Sequence, residues 1–367
     1  MATAGRTIIV CSCEQTMPID AANIPARCGS VRTADQLCRR QLELFKSVIA
    51  EGAPVTIGCT QEAPLFAEVA GEAGAAEQIA FANIRETAGW STDGRAAGPK
   101  MAALLALAAE PTRDTLLISM ASSGVTLIYG RDELAIEAGR RLADRLDITV
   151  LLTQPGDVTP PRITAFPVLK GTIRAAKGHL GAFELTVDDF AQPAPSSRAA
   201  LTFGPSRDGA TSRCDIVIDL SGGAPLFPAH ELRDGYLRVD PGDRAAFERA
   251  LAQAADLVGE FDKPRFVQFT QFLCAHSRSQ ITGCTRCLDV CPTSAITPAG
   301  DHVVIDPYIC GGCGHCAAVC PTGAASYALP PTDALLGRLR TLLLTYREAG
   351  GKQPVVLMHD QIGRAHV

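Results

Sequence analysis

Short β-branched runs alternate with longer amphipathic stretches over the first hundred residues. Thr7–Val10 and Pro54–Ile57 have the length and continuity of buried strands, and Ile79–Asn83 is a weaker run of the same kind. Ala34–Ala50 and Pro99–Ala109 carry apolar residues at helical spacing. This alternation predicts an α/β layered domain over residues 1–112. A βαβ pattern follows, with strands at Val125–Tyr129 and Ile148–Leu152 around a helix at Asp132–Arg145. With a strand at Asp215–Leu220 and an amphipathic helix at Asp243–Val258, it predicts a second α/β domain over 113–262. Both domains are expected to be Rossmann-like in their layering. The Pro-rich segments Pro155–Pro167 and Gln192–Ser197 read as loops.

Beyond Phe261–Thr270 the pattern changes. Residues 263–332 hold little periodic structure except a turn and strand within Thr297–Ile309. Asp333–Ala349 is a helix stopped by Gly350-Gly351. Pro354–Met358 then reads as a strand, so residues 333–367 are expected to begin a further domain that is cut short.

Composition narrows the class. Hydrophobic residues make up 47% and charged residues 20%, which describes a globular chain rather than a disordered one. A net charge of −5 gives no general attraction for nucleic acid or anionic membrane. No stretch approaches the roughly 18 apolar residues of a membrane span, and Ile8–Val10 is too short for a secretory signal. A cytoplasmic location is the expectation.

The cysteines carry the chemistry. Eight of the chain's 14 lie between residues 274 and 320, at metal-ligand spacing rather than scattered as in a disulfide scaffold. Cys310-x2-Cys313-x2-Cys316-x3-Cys320-Pro321 is a complete bacterial-ferredoxin run. Cys284-x2-Cys287-x3-Cys291-Pro292 repeats it from the second cysteine onward, with Ile281 where the first would stand. Cys291-Pro-Thr-Ser-Ala-Ile and Cys320-Pro-Thr-Gly-Ala-Ala match 29 positions apart. In such runs three thiolates hold one cube and the fourth serves the neighbouring cube. The expected sets are therefore Cys310, Cys313, Cys316 and Cys291 for one [4Fe–4S] cluster, and Cys284, Cys287 and Cys320 for the other.

For the remaining corner of that second set, Cys274 is the natural substitute, His276 is a second candidate, and a three-iron cluster without a fourth ligand is a third. A zinc ribbon using the pairs 284/287 and 310/313 would leave Cys316, Cys320 and both Cys-Pro steps unexplained. A radical S-adenosylmethionine motif fails at Ser294 and Gly323. Gly311, Gly312 and Gly314 suit a loop curled around a cluster. His315 reads either as a tuning residue or as a solvated loop histidine.

Residues from about 266 to 327 resemble bacterial 2[4Fe–4S] ferredoxin-domain proteins, an α+β dicluster fold. Leu-Cys274-Ala-His-Ser-Arg-Ser and Gly-Cys284-Thr-Arg-Cys-Leu-Asp-Val-Cys-Pro further resemble a group of bacterial 4Fe–4S binding proteins without a settled activity.

A separate set of cysteines precedes these. Cys11-Ser-Cys13, Cys38, Cys59-Thr-Gln-Glu-Ala-Pro-Leu-Phe, Ala82-Asn-Ile-Arg-Glu and Trp90 together resemble the N-terminal domain of heterodisulfide reductase A-type subunits, over about residues 7–110. The resemblance implies an iron–sulfur and flavin electron-transfer subunit, with a third cluster on Cys11, Cys13, Cys38 and Cys59. Buried structural thiols are the alternative for these residues. The sequence departs from that family at Thr60-Gln61, where Ser-Pro is usual. It also lacks the Gly-x-Gly-x-x-Gly turn of a dinucleotide site: the comparable turn is Tyr129-Gly130-Arg131-Asp132-Glu133, so FAD has no motif behind it.

The expected function is a relay of single electrons through two [4Fe–4S] clusters. The chain would serve as a subunit of a cytoplasmic oxidoreductase complex that is heterodisulfide reductase-like or associated with formate dehydrogenase or hydrogenase. Its partners would be redox proteins or sibling subunits. Two alternatives stand beside it: a flavin- or nucleotide-dependent oxidoreductase with the clusters as internal wire, and an iron–sulfur redox sensor. No catalytic triad or carboxylate pair is apparent.

Overall fold

The computed structural model describes residues 5–110, 115–156, 158–160, 165–197, 199–278 and 281–357. They form two compact units: residues up to 110 together with those from 332, and residues 115–331.

In the first unit β1 (Thr7–Cys11), β2 (Ser30–Ala34), α1 (Leu42–Ala50), β3 (Val55–Ile57), α2 (Ala63–Glu72), β4 (Ile79–Phe81) and α3 (Gly98–Ala108) follow in sequence. The sheet order is β2-β1-β3-β4, and every pairing is parallel. Crossover helices cover both faces of such a sheet, which explains why β1 is buried along its whole length. Ile9 and Ile57 face Phe45 of α1 and Phe66 of α2, while Ile8 and Val10 face Met101 and Leu105 of α3. The C-terminal helix Thr332–Glu348 packs along α3 in this unit. Its buried Thr345 accepts a hydrogen bond from Arg27 Nη2 at 2.9 Å.

Two local expectations change. The helix read from Ala34 begins only at Leu42. Gln41 Oε1 accepts from the amides of Asp35 and Gln36 at 2.7 and 2.8 Å, which holds residues 35–41 as a turn, and Cys38 lies in that turn. Residues 354–357 form no strand, and Val355 and Leu357 are exposed; Met358 lies outside the described residues.

In the second unit β5 (Leu117–Ser122), β6 (Val125–Gly130), α4 (Glu133–Leu142), β7 (Asp147–Leu152), β8 (Val168–Lys177), β9 (Phe183–Ala191), β10 (Ala210–Cys214), β11 (Ile216–Leu220), β12 (Tyr236–Arg238) and α5 (Arg244–Ala255) precede the cysteine region. Seven of these strands form one sheet, ordered β10-β9-β8-β7-β6-β11-β12, parallel at its centre and antiparallel at the β8-β9-β10 side. Ile136 and Leu142 of α4 and Phe247 and Leu251 of α5 bury one face. The turn after β6 caps its own helix: Asp132 Oδ1 accepts from the Leu134 amide at 3.0 Å.

β13 (Gly259–Pro264) pairs with β5 and leads out of the sheet layer. The cysteine region then runs β14 (Val267–Phe269), β15 (Ser277–Arg278), β16 (Ile281–Thr282), α6 (Arg286–Asp289), β17 (Ile296–Ala299), β18 (His302–Ile305), α7 (His315–Val319) and β19 (Ala325–Tyr327). β17 and β18 form the turn-and-strand hairpin expected there, and β14 pairs with β19. Both units are α/β in character.

Candidate metal centres

The repeat in sequence is a repeat in space. α6 and α7 each start beside ligand-type cysteines and pack on one another. In both halves the threonine two residues after the Cys-Pro cysteine returns to its sulfur: Thr293 Oγ1 is 3.7 Å from Cys291 Sγ, and Thr322 Oγ1 is 3.7 Å from Cys320 Sγ. In both halves the next residue is left-handed, Ser294 at φ +55° and Gly323 at φ +69°.

Cys274, Cys284, Cys287 and Cys320 border a single small cavity, with Phe269, Val303, Ala324 and Ala325 supplying its apolar wall. Cys274 reaches it from the end of the turn Gln271–Leu273. His276 borders the same cavity, but its Nδ1 is bonded to the Cys284 carbonyl at 2.8 Å and its ring is buried, so it braces the loop that presents Cys284. Ile281 lies on β16, paired antiparallel with β15, and is 73% exposed.

Electrostatics mark the same groupings. Burial pushes the Cys287 thiol up, reinforced by the neighbouring Cys274, Cys284 and Cys320. Burial acts the same way on Cys320, but hydrogen bonds from the Ala325 amide (3.4 Å), Thr322 and the Ala324 amide outweigh it and favour the thiolate. Sulfur-directed N–H groups of this kind stabilise and tune iron–sulfur ligands.

The other set gathers around the Gly-rich loop. Burial raises the Cys316 thiol to about 11, with Cys310, Cys313 and Cys291 as its charged neighbours and the Ala317 amide opposing. Gly312 and Gly314 adopt φ +74° and +73°, values that bulkier residues rarely adopt, and let the chain curl. Gly311 serves differently: a Cβ there would come within 2.9 Å of Leu232. The Tyr327 hydroxyl fastens the loop by donating to the Gly312 carbonyl at 2.7 Å. Cys313 and His315 are exposed, whereas Cys316 is buried.

Among the described residues, no three His, Cys, Asp or Glu side chains close on a point that would hold a single metal ion. A zinc site needs its ligands about 2.0–2.3 Å from one point. Cys274, Cys284, Cys287 and Cys320 around one cavity, and Cys291, Cys310, Cys313 and Cys316 as mutual neighbours, match an iron–sulfur group in ligand number and donor chemistry.

In the first unit Cys11, Cys13, Cys38 and Cys59 all border one cavity. β1 and β3 are adjacent and parallel, and the strand order reverses between them, so Cys11–Cys13 and Cys59 emerge at the crevice where α/β sheets collect ligands. Cys13, Glu14 and Gln15 take φ of +51°, +59° and +61° in succession. Left-handed backbone in three non-glycine residues stores strain, and strain of this sort concentrates at functional sites. It turns the Cys13 thiol toward Arg85, whose Nη1 donates to the sulfur at 3.3 Å. Burial raises the Cys59 thiol against the Glu62 and Gln61 amides, which point at its sulfur from the start of α2. Cys28 and Cys214 border neither cavity; both are buried, and burial lifts the Cys214 thiol to about 12. Arg85 lies in the Ala82-Asn-Ile-Arg-Glu string, but nothing in the sequence sets it against Cys13, and no glycine marks the left-handed run.

No helix among the described residues is long and apolar enough to cross a membrane. Among curated proteins, none matches the chain. The family model of the 4Fe-4S dicluster domain matches residues 282–324, a segment that holds seven of the eight clustered cysteines and leaves Cys274 outside. The chain thus carries a ferredoxin-type 4Fe–4S dicluster domain, which supports an iron–sulfur electron-transfer role.

Proposed function

We propose that this protein relays single electrons through two [4Fe–4S] clusters as a subunit of a cytoplasmic oxidoreductase complex. The observation that carries the reading is the convergence of Cys274, Cys284, Cys287 and Cys320 on one cavity beside a dicluster-domain match. Cys274, Cys284, Cys287 and Cys320 hold one cluster; Cys291, Cys310, Cys313 and Cys316 hold the other. When bound, each cluster gains or loses one electron at a time, and the protein tunes it by charge, burial and hydrogen bonds to sulfur. The Ala325 amide and Thr322 do this at Cys320, and the Ala317 amide at Cys316.

Cys11, Cys13, Cys38 and Cys59 hold a third cluster in this reading. Their shared cavity at the strand-order reversal, together with the strained run at Cys13, supports that assignment. The strings at Cys11, Cys59 and Ala82 resemble heterodisulfide reductase A-type subunits over about residues 7–110, outside the segment the family model matches. On that resemblance such a complex is the preferred setting, ahead of formate dehydrogenase or hydrogenase assemblies.

Anaerobic iron and sulfide quantification with electron paramagnetic resonance of the reduced protein tests the proposal. About eight irons per chain fits two cubes and about twelve fits three. Iron near zero with stoichiometric zinc would overturn it.

A further inference from the structure

Among the described residues, Arg233 and Lys263 are the buried arginine and lysine, at 6% and 8% exposure. Both are held against the same cysteine set. Lys263, on β13, donates to the Tyr308 carbonyl at 2.9 Å, two residues before Cys310. Arg233 donates through Nη2 to the Thr293 carbonyl at 3.0 Å, two residues after Cys291, and through Nη1 to the Gly178 carbonyl at 2.9 Å. The cavity bordered by Cys274 and Cys284 has a different charge environment: Arg286 borders it and is exposed to water.

The counter-ions do not cancel this asymmetry. Lys263 pairs with Asp234 at 2.7 Å, but the Asp234 side chain is 45% exposed while that of Lys263 is 9% exposed. Water therefore screens the carboxylate more than the ammonium. Asp306, the other nearby carboxylate, turns Oδ1 to the Tyr308 and Ile309 amides, which offset part of its charge. Burial pushes the Cys310 thiol up, and the Gly312 amide and Lys263 ammonium act against it in favour of the thiolate.

We infer that Lys263 and Arg233 set the potential of the centre on Cys291, Cys310, Cys313 and Cys316 above that of the centre on Cys274, Cys284, Cys287 and Cys320. The inference rests on the two-cluster reading. A fixed buried cation favours whichever state of its neighbour is more negative, and here that is the reduced one. Within the chain an electron leaves the Cys274 centre, oxidising it by one, and comes to rest on the Cys310 centre, reducing it by one.

The test is a redox titration of the full-length protein followed by electron paramagnetic resonance, with iron counted on the same samples. Two potentials are expected from the dicluster domain of the unaltered protein, beside that of the N-terminal centre. Lys263→Met should move the upper one negative by at least tenfold in reduction equilibrium, about 59 mV for a one-electron couple, and leave the lower in place. Lys263→Arg should keep the original value, and Arg233→Met should act in the same direction as Lys263→Met. Dicluster potentials that do not respond, or that respond together, at the iron content of the unaltered protein overturn the inference alone. Iron near zero in the unaltered protein defeats the two-cluster reading instead. Should Lys263→Met lose iron, Asp234→Asn frees the ammonium of its counter-ion and must move the upper potential positive; no movement there also overturns the inference.

Discussion

Arg85 donates through Nη1 to the sulfur of Cys13 at 3.3 Å, and both residues border the N-terminal cavity. The same guanidinium stacks 4.4 Å over Trp90 and pairs with Glu86, so its position is fixed from three sides. Bonds to Cys13 and Glu86 hold it above its usual range, and it stays a cation at any working pH. Arg85→Met should keep the iron of a cluster at Cys13 and move its midpoint negative. Cys59→Ser should instead remove about four irons per chain. Iron analysis with a redox titration separates the two outcomes; full iron in Cys59→Ser would assign these thiols a structural role.

Cys274→Ser should convert one four-iron signal into a three-iron signal visible in the oxidised protein. Ile281→Cys should not restore it in the same chain, although the sequence repeat puts a cysteine at that position. Ile281 is exposed on β16, whereas Cys274 borders the cavity. Unchanged spectra in Cys274→Ser would remove Cys274 from the ligand set.

Ser294 adopts φ +55° where its counterpart in the other half is Gly323. Ser294→Gly removes a left-handed penalty of about 1–2 kcal/mol and adds roughly 0.5–1 kcal/mol of unfolded-chain entropy. The net is a small stabilisation, read as a higher urea midpoint at unchanged iron content. A lower midpoint would show that the serine side chain holds the turn.

Glu137 and Glu248 bridge α4 to α5 through Arg244 and Arg141. The hydrogen bond from Arg244, against a small desolvation cost, holds Glu137 below its usual range; Arg141 does the same for Glu248. A depressed carboxylate contributes stability above its unfolded value near 4.5, and that contribution disappears as pH falls through the folded value. Glu137→Gln and Glu248→Gln should therefore lower the urea midpoint at pH 7, with the gap to the unaltered protein closing below pH 4.5. A gap independent of pH would contradict this. The pairs are exposed, so the effect should also shrink in high salt.

The sequence shows its chemistry more openly than its architecture. The Cys-x2-Cys spacings and both Cys-Pro steps identify the dicluster segment, because ligand geometry constrains local spacing. Cys274, which borders the same cavity as three of the matched cysteines, is singled out by counting thiols although it stands outside the segment that the family model matches. The central parallel strands are legible as continuous apolar runs. The β8-β9-β10 extension is not, since Lys170, Arg174 and Lys177 interrupt β8 and pair across the sheet with Asp189, Asp188 and Glu184. The start of α1 was hidden by helix-compatible composition: Gln41 turns back to cap residues 35 and 36, a tertiary choice that propensity does not encode. Arg233 and Lys263 look like ordinary surface charges in sequence, and only the fold buries them.

The first unit is discontinuous in the chain, and its long C-terminal helix arrives after more than two hundred intervening residues. At a synthesis rate of roughly 5–20 residues per second, α3 waits on the order of ten to forty seconds for the helix that packs along it. That interval is the time in which the whole second unit is synthesised. The order of the parts along the chain therefore means that the N-terminal unit cannot receive its last helix until every residue of the dicluster domain has been made.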